Sequence, residues 1–443
     1  MTMLFMKKKY QLERFFVTWL MILFMILTDA FTAFAQVKQA TFLVNGISCD
    51  LEQGILKVEF VTPDVVRVQY TGENTFIGNG TDVCLPRAVD NPVRWVYTPN
   101  PDCYLLKSDS LIVRVDLSTA SITYLDKEGG LLLQEDQNIP RISEKRVTKQ
   151  VIYDEHSKHI EKTADGDKEI KNVLRYDTIG HTWKYRINFK WQPLEALYGW
   201  GAHMEDYMNL RGKELYLCQH NLKAMVPVLN STAGYGLLFD AGCAMMFKDN
   251  SEGSFVELEA AKQIDYYFMK GKTMDAVVAN YRLLTGNSPM MPLYLFGYIQ
   301  SKERYVSSDD LINTLKEYRQ RQIPIDMIVQ DWNYWPEGQW GNMSMNPKFY
   351  PDKRKLADEI HSLHAKLMIS IWPNAMNCPQ HEEFRRKGWL LSGTSVYDAF
   401  NPLARKLYWN YANNEFFGNG FDAWWCDASE PLDADWTFMK DGY

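Results

Sequence analysis

The hydrophobic pattern of this chain changes near residue 270, and that change most constrains its fold. Before it, short stretches in which apolar and polar residues alternate, such as 54–60 and 65–70, are separated by turns rich in Gly, Asp and Asn. Short strands joined by such turns indicate an antiparallel β-sandwich. After it, a helical stretch near 274–284 leads into continuous apolar runs, such as that at 295–300, which is expected to be a strand buried on both faces. These runs alternate with segments of helical spacing, whose predicted caps are Ser307 or Ser308 and Asn401, and this indicates a parallel β/α array. The sequence therefore predicts a sandwich domain over residues 36–270, with the charge-rich stretch 143–171 as a loose excursion on its surface, and a β/α domain over residues 271–443.

Residues 1–35 are predicted to be a secretory signal peptide rather than part of the fold. Basic residues at 7–9 and 14 precede an apolar run at 15–27, and Ala33-Phe34-Ala35 supplies a small-x-small cleavage pattern. The apolar run is too short to span a bilayer comfortably. We therefore expect an exported protein, periplasmic or secreted, with no transmembrane segment after cleavage.

Charge and cysteine content exclude several classes of protein. With 55 acidic and 48 basic side chains the net charge is −7, which gives no electrostatic basis for binding nucleic acid. The seven cysteines are scattered and form no C-x-x-C motif, so neither a zinc site nor a dense disulfide framework is expected. Buried free thiols are the favoured interpretation, and a bond between Cys84 and Cys103 is the alternative. No metal ion or organic cofactor is implied, and the oligomeric state stays open.

Three candidate site residues follow apolar runs in the β/α part of the sequence. Asp331 and Asp427 each stand where an apolar run stops, and Trp372 holds the same place on the run between them. In a β/α barrel the carboxyl ends of the strands carry the chemistry. An Asp in this position can instead be a structural cap, and position alone leaves both interpretations open.

Tryptophan is concentrated in the same part of the chain, since nine of the 14 indoles lie beyond residue 330. Indole faces that pack on the C–H face of a sugar, together with carboxylates that bind its hydroxyls, make a carbohydrate site physically sensible. A large aromatic core gives the same count, so the tryptophans alone do not establish such a site.

Several motifs resemble those of glycoside hydrolase family 31. The family's nucleophile strand and the loop after it are similar to Phe421-Asp422-Ala423-Trp424-Trp425-Cys426-Asp427-Ala428-Ser429-Glu430-Pro431. The ends of the family's first three barrel strands resemble the segments 300–305, 329–335 and 370–374. Its N-terminal sandwich resembles the segments 198–201, 209–213, 219–221 and 234–240. The resemblance runs from about residue 50 to the end. It implies a galactose mutarotase-like antiparallel β-sandwich followed by a (β/α)8 TIM barrel.

The resemblance also implies roles for individual side chains. It makes Asp427 the nucleophile that attacks the anomeric carbon in a retaining double displacement. It makes Asp331 the acceptor for sugar hydroxyls and Trp372 a wall of the pocket. Trp332 directly follows Asp331, where it closes off space for a C6 hydroxymethyl group, and this favours xylose over glucose.

Other candidates lie at the edges of the implied site. Glu430 is expected to orient the nucleophile loop and to belong to the substrate-binding residues. Arg304 is the candidate substrate-binding residue at the rim. His203 and Asp206 can also reach the rim, and a structural role is the favoured interpretation for all three rim residues.

The chain departs from the family after the nucleophile. A retaining glycosidase needs a second carboxyl as acid/base, about 5–5.5 Å from the nucleophile. In the family this Asp lies well downstream, whereas only 16 residues follow Asp427 here. Asp433 and Asp435 are too close to Asp427 in sequence to replace it. The 152 residues from Pro292 onward hold four strands, half of a barrel that takes roughly 250 residues. We therefore expect a barrel truncated after strand 4, without its acid/base.

Three functions are consistent with these observations. The favoured one is the N-terminal portion of a secreted retaining α-glycosidase that cleaves terminal α-linked sugars from oligo- or polysaccharides. α-Xylosides are favoured over α-glucosides, and the isolated chain is expected to be an inactive fragment. The second is a non-catalytic carbohydrate-binding remnant of such an enzyme. The third is a structural exported β protein, which the ordered run of motifs argues against.

Overall fold

The computed structural model describes residues 36–77, 83–85, 92–163, 166–206, 208–219, 223–391 and 394–429. The predicted signal peptide and Glu430 lie outside these residues. Contacts between residues group the chain into two compact units. Unit 1 contains the residues up to Arg146, Thr182–Cys218 and Met225–Asn287, and unit 2 contains Val147–His181, Gln219–Ala224 and the residues from Ser288 onward.

Two antiparallel sheets make up most of the N-terminal part of the chain. Their strands, numbered along the chain together with those of a small ribbon, are β1 (Val37–Phe42), β2 (Gly46–Leu51), β3 (Ile55–Thr62), β4 (Val65–Thr71), β5 (Trp95–Thr98), β6 (Cys103–Ser108), β7 (Leu111–Asp116), β8 (Ile122–Asp126), β9 (Leu131–Glu135), β10 (Arg141–Tyr153), β11 (His159–Thr163), β12 (Gly166–Ile170), β13 (Val173–Lys190), β14 (Leu197–Ala202), β15 (Glu214–Leu217), β16 (Ala224–Ser231), β17 (Tyr235–Phe239), β18 (Met245–Asn250), β19 (Gly253–Ala261) and β20 (Ile264–Lys270). The eight-stranded sheet has the order β1-β2-β3-β4-β20-β17-β16-β14. The ten-stranded sheet has the order β15-β18-β19-β13-β9-β8-β7-β6-β5, with β10 paired to β13.

The main core of unit 1 contains residues from both sheets. Tyr124 of β8 stacks on Phe268 of β20 with ring centroids 3.9 Å apart. The hydroxyls of Tyr124 and Tyr266 lie 3.0 Å apart in the same core. Because each pair takes one residue from each sheet, the sheets pack face to face around apolar side chains. The predicted antiparallel sandwich is confirmed.

The polar stretch at 143–171, which the sequence predicts to be a loose excursion, is regular structure. β10 pairs with β13, and β11 pairs with β12 in register from His159↔Ile170 to Thr163↔Gly166. Ladder hydrogen bonds join backbone groups and need no apolar side chains, so a charge-rich sequence can form a ribbon. The prediction of loose chain was therefore wrong.

Helix α1 (Met274–Thr285) follows the last sandwich strand, as the sequence predicts. The Thr273 hydroxyl caps its first turn by accepting a backbone N–H at 3.2 Å. Val277 of this helix is buried in a small apolar cluster with residues of β4, β17 and β20. Because α1 packs within unit 1, the division by contacts follows Asn287 rather than residue 270.

A four-stranded parallel sheet and its helices form most of unit 2. The strands are hydrogen-bonded in chain order, β21 (Ile299–Gln300), β22 (Met327–Gln330), β23 (Lys366–Ile371) and β24 (Ala423–Cys426). The helices are α2 (Ser308–Gln320), α3 (Lys353–Ser362), α4 (Pro379–Lys387) and α5 (Pro402–Glu415). Four parallel strands with helices between them confirm the predicted β/α array. Among the described helices, none is long and apolar enough to cross a membrane.

The predicted starts of two helices are confirmed, and one helix was not predicted. Ser307 accepts a backbone N–H at 3.2 Å at the start of α2, and Asn401 accepts one at 2.9 Å at the start of α5. α4 buries only Gln380 and Phe384, so its sequence carries little of the apolar spacing by which a helix is recognised.

The first parallel strand is shorter than the sequence predicts. The apolar run at 295–300 is expected to be one buried strand, but only Ile299–Gln300 pairs with β22. Leu293–Phe296 forms a 3₁₀ turn, in which Phe296 is 74% exposed. At Gly297 the backbone passes so close to Asp326 that a Cβ would lie 1.9 Å from Asp326 Oδ2. An apolar run alone therefore did not determine where the strand begins.

Most of the cysteines are buried, as predicted. Cys49, Cys103 and Cys378 are buried free thiols, so the alternative bond between Cys84 and Cys103 does not form. Cys426 differs, because it is exposed on β24.

Candidate functional site

Asp331, Trp372 and Asp427 lie at the same edge of the parallel sheet of unit 2. The register of β22 with β23, and of β23 with β24, brings the carboxyl ends of these strands together. The backbone N–H of Asp427 donates to the carbonyl of Ile371 at 3.0 Å, which fixes Asp427 beside the strand that Trp372 follows. The structure thus brings together three of the residues that the sequence singles out.

Asp331 is a half-buried carboxylate in an acidic environment. Its Oδ1 accepts the backbone N–H of Trp332 at 2.8 Å. Burial raises the pKa of Asp331 above its ordinary value, and the charges of Asp427 and Glu303 raise it further. The hydrogen bond from the Trp332 N–H and the nearby Ser370 hydroxyl oppose this shift. Asp427 is therefore one of the charged groups that surround Asp331.

Asp427 is oriented in the same way as Asp331. Its Oδ1 accepts the backbone N–H of Ala428 at 2.8 Å. Ala428 has a φ of 47° and Asn333, two residues after Asp331, has a φ of 59°. Left-handed backbone is uncommon for residues other than Gly, and such strained residues cluster at functional sites. Both carboxylates are therefore held by tight, strained turns at the ends of their strands.

Four tryptophans pack together beside these carboxylates and form what we call the indole cluster, Trp332, Trp335, Trp340 and Trp372. Ring centroids of Trp340 lie 5.6 Å from Trp332, 5.5 Å from Trp335 and 6.1 Å from Trp372. Trp335 and Trp372 meet edge to face at 5.1 Å. Trp372 is buried, whereas Trp332 and Trp340 are half-buried. The cluster gives this edge of the sheet a rigid aromatic wall.

Arg304 lies against the outer member of this cluster. Its guanidinium carbon is 5.5 Å from the ring centroid of Trp332. Its Nε is 3.5 Å from Glu303 Oε2. Arg304 therefore lies beside Trp332, and its role in binding substrate stays a prediction.

Sequence reasoning did not assign roles to four residues that the structure places here, Glu303, Trp335, Trp340 and Ser370. Trp335 and Trp340 belong to the Trp-rich segment, but their contacts join loops that are distant in sequence. Glu303 precedes Arg304 at a strand end, which was the available signal. Ser370 is fully buried on β23 and gave no signal, because a small hydroxyl in an apolar strand is common.

The other candidate residues lie in unit 1 or outside the described residues. His203 belongs to unit 1, where its Nε2 lies 3.2 Å from the carbonyl of Gly199. Asp206 belongs to unit 1 as well. Glu430 lies outside the described residues. Within the part of the chain that the structure describes, no group of three or more His, Cys, Asp or Glu is placed to hold a metal ion.

The arrangement suits a polyhydroxylated ring. Two carboxylates at one edge can accept hydrogen bonds from hydroxyls, and indole faces can cover the C–H face of the ring. An aromatic wall beside a few well-placed polar groups is typical of ligand sites.

Comparison with known families matches both parts of the chain. The profile described as the Glycosyl hydrolase 31 N-terminal galactose mutarotase-like domain matches residues 55–247. The profile described as the Glycosyl hydrolases family 31 TIM-barrel domain matches residues 288–442.

Two curated relatives carry names of α-xylosidases. The alpha-xylosidase of Saccharolobus solfataricus is 29% identical over 386 residues, which cover 85% of this chain and 48% of the relative. Alpha-xylosidase A of Aspergillus niger is 24% identical over 270 residues, which cover 57% of this chain and 36% of the relative. The chain therefore spans half or less of the length of these relatives.

Solved structures share the fold. A GH31 alpha-xylosidase from a soil metagenome, solved in complex with xylose, has a TM-score of 0.72 at 23% identity and covers 89% of this chain and 58% of that chain. A GH31 dextranase of Flavobacterium johnsoniae, solved in complex with glucose, has a TM-score of 0.72 at 20% identity and covers 91% of this chain and 49% of that chain. The predicted fold class, a mutarotase-like sandwich followed by TIM-barrel strands and helices, is confirmed. Since two profiles of one family match in the predicted order and solved members share the fold, the chain belongs to glycoside hydrolase family 31.

Proposed function

We propose that this chain belongs to a retaining α-glycosidase that removes terminal α-linked sugars from oligo- or polysaccharides, with Asp427 as the nucleophile. The observation that carries the proposal is that the register of β22, β23 and β24 brings Asp331 and Asp427 to one sheet edge, beside the indole cluster. α-Xylosides are favoured over α-glucosides. The names of the relatives from Saccharolobus solfataricus and Aspergillus niger support this preference, as does the position of Trp332 directly after Asp331.

Each residue has a defined role in the proposed reaction. An Asp427 oxygen attacks the anomeric carbon and forms an ester bond, while the bond from that carbon to the leaving oxygen breaks. Asp331 accepts hydrogen bonds from ring hydroxyls and holds the sugar in place. Trp372 and Trp332 line the pocket, and Arg304 and Glu430 complete the substrate-binding residues.

The acid/base carboxyl is proposed not to be among residues 1–443, because Asp433 and Asp435 are too close to Asp427 in sequence to serve. A leaving sugar oxygen needs a proton, so residues 1–443 alone are proposed to give no turnover of natural α-glycosides. A leaving group that needs no proton removes this requirement.

A glycosyl fluoride therefore tests the nucleophile separately from the acid. We expect 5-fluoro-α-xylosyl fluoride to lose fluoride from its anomeric carbon and to form an ester with Asp427. The gain in intact mass then equals one fluoroxylosyl group. Asp427→Asn abolishes this gain, and Asp309→Asn, which changes an exposed Asp of α2, retains it. Labelling of the Asp427→Asn chain would overturn the assignment.

The second candidate function is sugar binding without catalysis. Asp331 and the indole cluster suffice for it. It predicts saturable binding of methyl α-xyloside by the wild-type chain together with no covalent labelling by the fluoride. Covalent labelling would exclude it.

Export is also proposed, on the pattern of residues 1–35. N-terminal sequencing of the secreted or periplasmic protein is expected to begin at Gln36. An intact Met1 on the mature protein would contradict it.

A further inference from the structure

Trp340 occupies a central place in the indole cluster. Its ring contacts the other three members at 5.6, 5.5 and 6.1 Å. Trp332, by contrast, contacts Trp340 on one side and the guanidinium of Arg304 on the other. Removal of the Trp340 ring would therefore take away an aromatic partner of Trp332, while Trp372 would keep Trp335.

The backbone around Trp340 is fixed to the neighbouring loop. The Trp340 carbonyl accepts the backbone N–H of Met376 at 2.9 Å. At the next residue, Gly341, φ is 65° and a Cβ would lie 2.1 Å from the carbonyl oxygen of Asn374. Only Gly permits so close an approach. The loop after β22 and the loop after β23 are thus joined at Trp340.

Side chains of α4 and α5 accept hydrogen bonds from the backbone of the same loop. Gln380 of α4 accepts the backbone N–H of Met343 at 2.9 Å. Glu415 of α5 accepts the backbone N–H of Met345 at 2.8 Å and is paired with Lys353 at the same distance. Trp340 therefore projects from a rigid support rather than from a loose loop.

Packing, rather than a hydrogen bond, holds the ring itself. The Nε1 of Trp340 is buried and has no hydrogen-bond partner among the described residues. A Phe at this position would keep an aromatic ring and lose no protein hydrogen bond. Ala would leave a cavity beside Trp332, and partner side chains relax into such cavities.

We propose that Trp340 is a positioning residue that fixes the Trp332 ring, and that it thereby sets the selectivity between sugars that bear a hydrogen and sugars that bear a hydroxymethyl group at C5. The inference rests on the proposed function, because it assigns Trp332 to the wall of the sugar pocket. A rigid wall excludes the larger sugar, whereas a ring free to rotate admits it. One extra methylene changes selectivity by roughly 10–200-fold in a well-formed apolar pocket.

The test compares two ligands on the full chain. Methyl α-xyloside and methyl α-glucoside are titrated into protein labelled with ¹⁵N-tryptophan, and the indole N–H resonances give both dissociation constants. In the wild type we expect tighter binding of the xyloside. In Trp340→Ala the ratio of the two constants is expected to fall by about tenfold, whereas Trp340→Phe keeps it. Trp409→Ala, which removes a 47% exposed indole outside the cluster, also keeps it.

The ratio separates positioning from a merely structural role. A structural role predicts that Trp340→Ala weakens both sugars equally, and this result, or an unchanged ratio, would overturn the inference. If Trp340→Ala does not fold, Trp340→Leu takes its place and is expected to lower the ratio of the two dissociation constants by a smaller factor. An unchanged ratio in Trp340→Leu would also overturn the inference.

Failure of the proposed function gives a different result. If the wild type binds neither sugar, the pocket assignment is wrong. The indole N–H resonances measured without sugar then test whether Trp340 positions the Trp332 ring. We expect the Trp332 signal to move in Trp340→Ala and to stay in Trp409→Ala. An unmoved Trp332 signal in Trp340→Ala would overturn the role of Trp340.

Discussion

The two units place carboxylates in opposite kinds of environment. In unit 1, Asp265 is buried and accepts two hydrogen bonds from the Arg67 guanidinium, at 2.9 and 2.6 Å, and one from Gln69 at 2.9 Å. Glu135 is fully buried and accepts a hydrogen bond from Arg141 at 2.8 Å. Buried charges persist only when such partners compensate for their lost hydration. These carboxylates are parts of the architecture.

In unit 2, the strand-end carboxylates keep oxygens available. Asp331 and Asp427 each accept the N–H of the following residue. Neither has an ion-pair partner within the described ranges of the chain, although Arg304 lies nearby on Trp332. The comparison indicates that the number of protein partners distinguishes a structural carboxylate from one that is available to a ligand.

The largest expected loss of stability is confined to unit 1. Arg67→Met leaves the buried Asp265 unpaired, which should lower the free energy of unfolding of this unit by about 3–5 kcal/mol. Hydrogen exchange measured by mass spectrometry should show lost protection in β4 and β20. Protection of β22 to β24 should be unchanged.

A surface ion pair provides the control for this prediction. Lys127→Met removes a partner of Glu128 from a pair whose side chains are 61% and 69% exposed. Such pairs contribute about 0–1 kcal/mol. Equal losses in Arg67→Met and Lys127→Met would contradict the role assigned to the buried pair.

A smaller loss of stability is expected in unit 2. Gly341→Ala forces a Cβ against the carbonyl of Asn374 at a positive φ, so we expect the loop after β22 to lose roughly 1–3 kcal/mol of local stability. Gly338→Ala is the matched control, because Gly338 also has a positive φ, 75°, but has no atom within 4 Å of its Cβ position. Hydrogen exchange in residues 332–346 should rise more in Gly341→Ala. Equal exchange in the two variants would refute the contact between the loops.

A third and still smaller loss of stability is expected at the amino end of β24. Burial raises the pKa of Asp422, but hydrogen bonds from the Leu367 N–H, His361 and Lys366 outweigh it and lower this pKa overall. The stabilisation is therefore present above the ordinary Asp value of about 3.9 and is lost as the pH falls below it. Asp422→Asn should cost about 1 kcal/mol at pH 7, since the site is partly screened by solvent.

Denaturant unfolding at pH 7 and at low pH checks the Asp422 prediction. The difference between wild type and Asp422→Asn should shrink as the pH falls below the ordinary value. A difference that grows on acidification would contradict the assignment of these hydrogen bonds.

The smallest expected change is a gain in stability, and it lies at the carboxyl end of the strands. The pKa of Asp331 is raised, chiefly by burial, so its ionisation destabilises the folded state once the pH exceeds the ordinary value. Asp331→Asn should therefore stabilise unit 2 slightly at pH 7, and the gain should vanish in acid. It should also abolish sugar binding. A loss of stability at pH 7 would place Asp331 with the structural carboxylates.

Local signals were enough to predict which residues lie at the carboxyl edge of the parallel sheet. A strand end can be located from the point where an apolar run stops, which is why Asp331, Trp372 and Asp427 were found. Caps follow from a single hydroxyl or amide side chain, as at Ser307. These features depend on a few neighbouring residues, so a single sequence contains them.

The rest depended on contacts between distant segments. The place of Trp340 against Trp372 follows from the meeting of two loops, which no local pattern encodes. The ribbon at 143–171 is held by backbone ladders rather than by apolar side chains. The 3₁₀ turn before β21 reflects the approach of Gly297 to Asp326. Each required the tertiary structure.

The role of Asp427 as the nucleophile is tested by locating the covalently bound sugar after treatment with 5-fluoro-α-xylosyl fluoride. Peptide mass spectrometry reads every carboxylate of the chain in one measurement. We expect a single fluoroxylosyl ester on Asp427 and none on Asp265 or Glu135. An ester on Asp331, or on a carboxylate of unit 1, would contradict it.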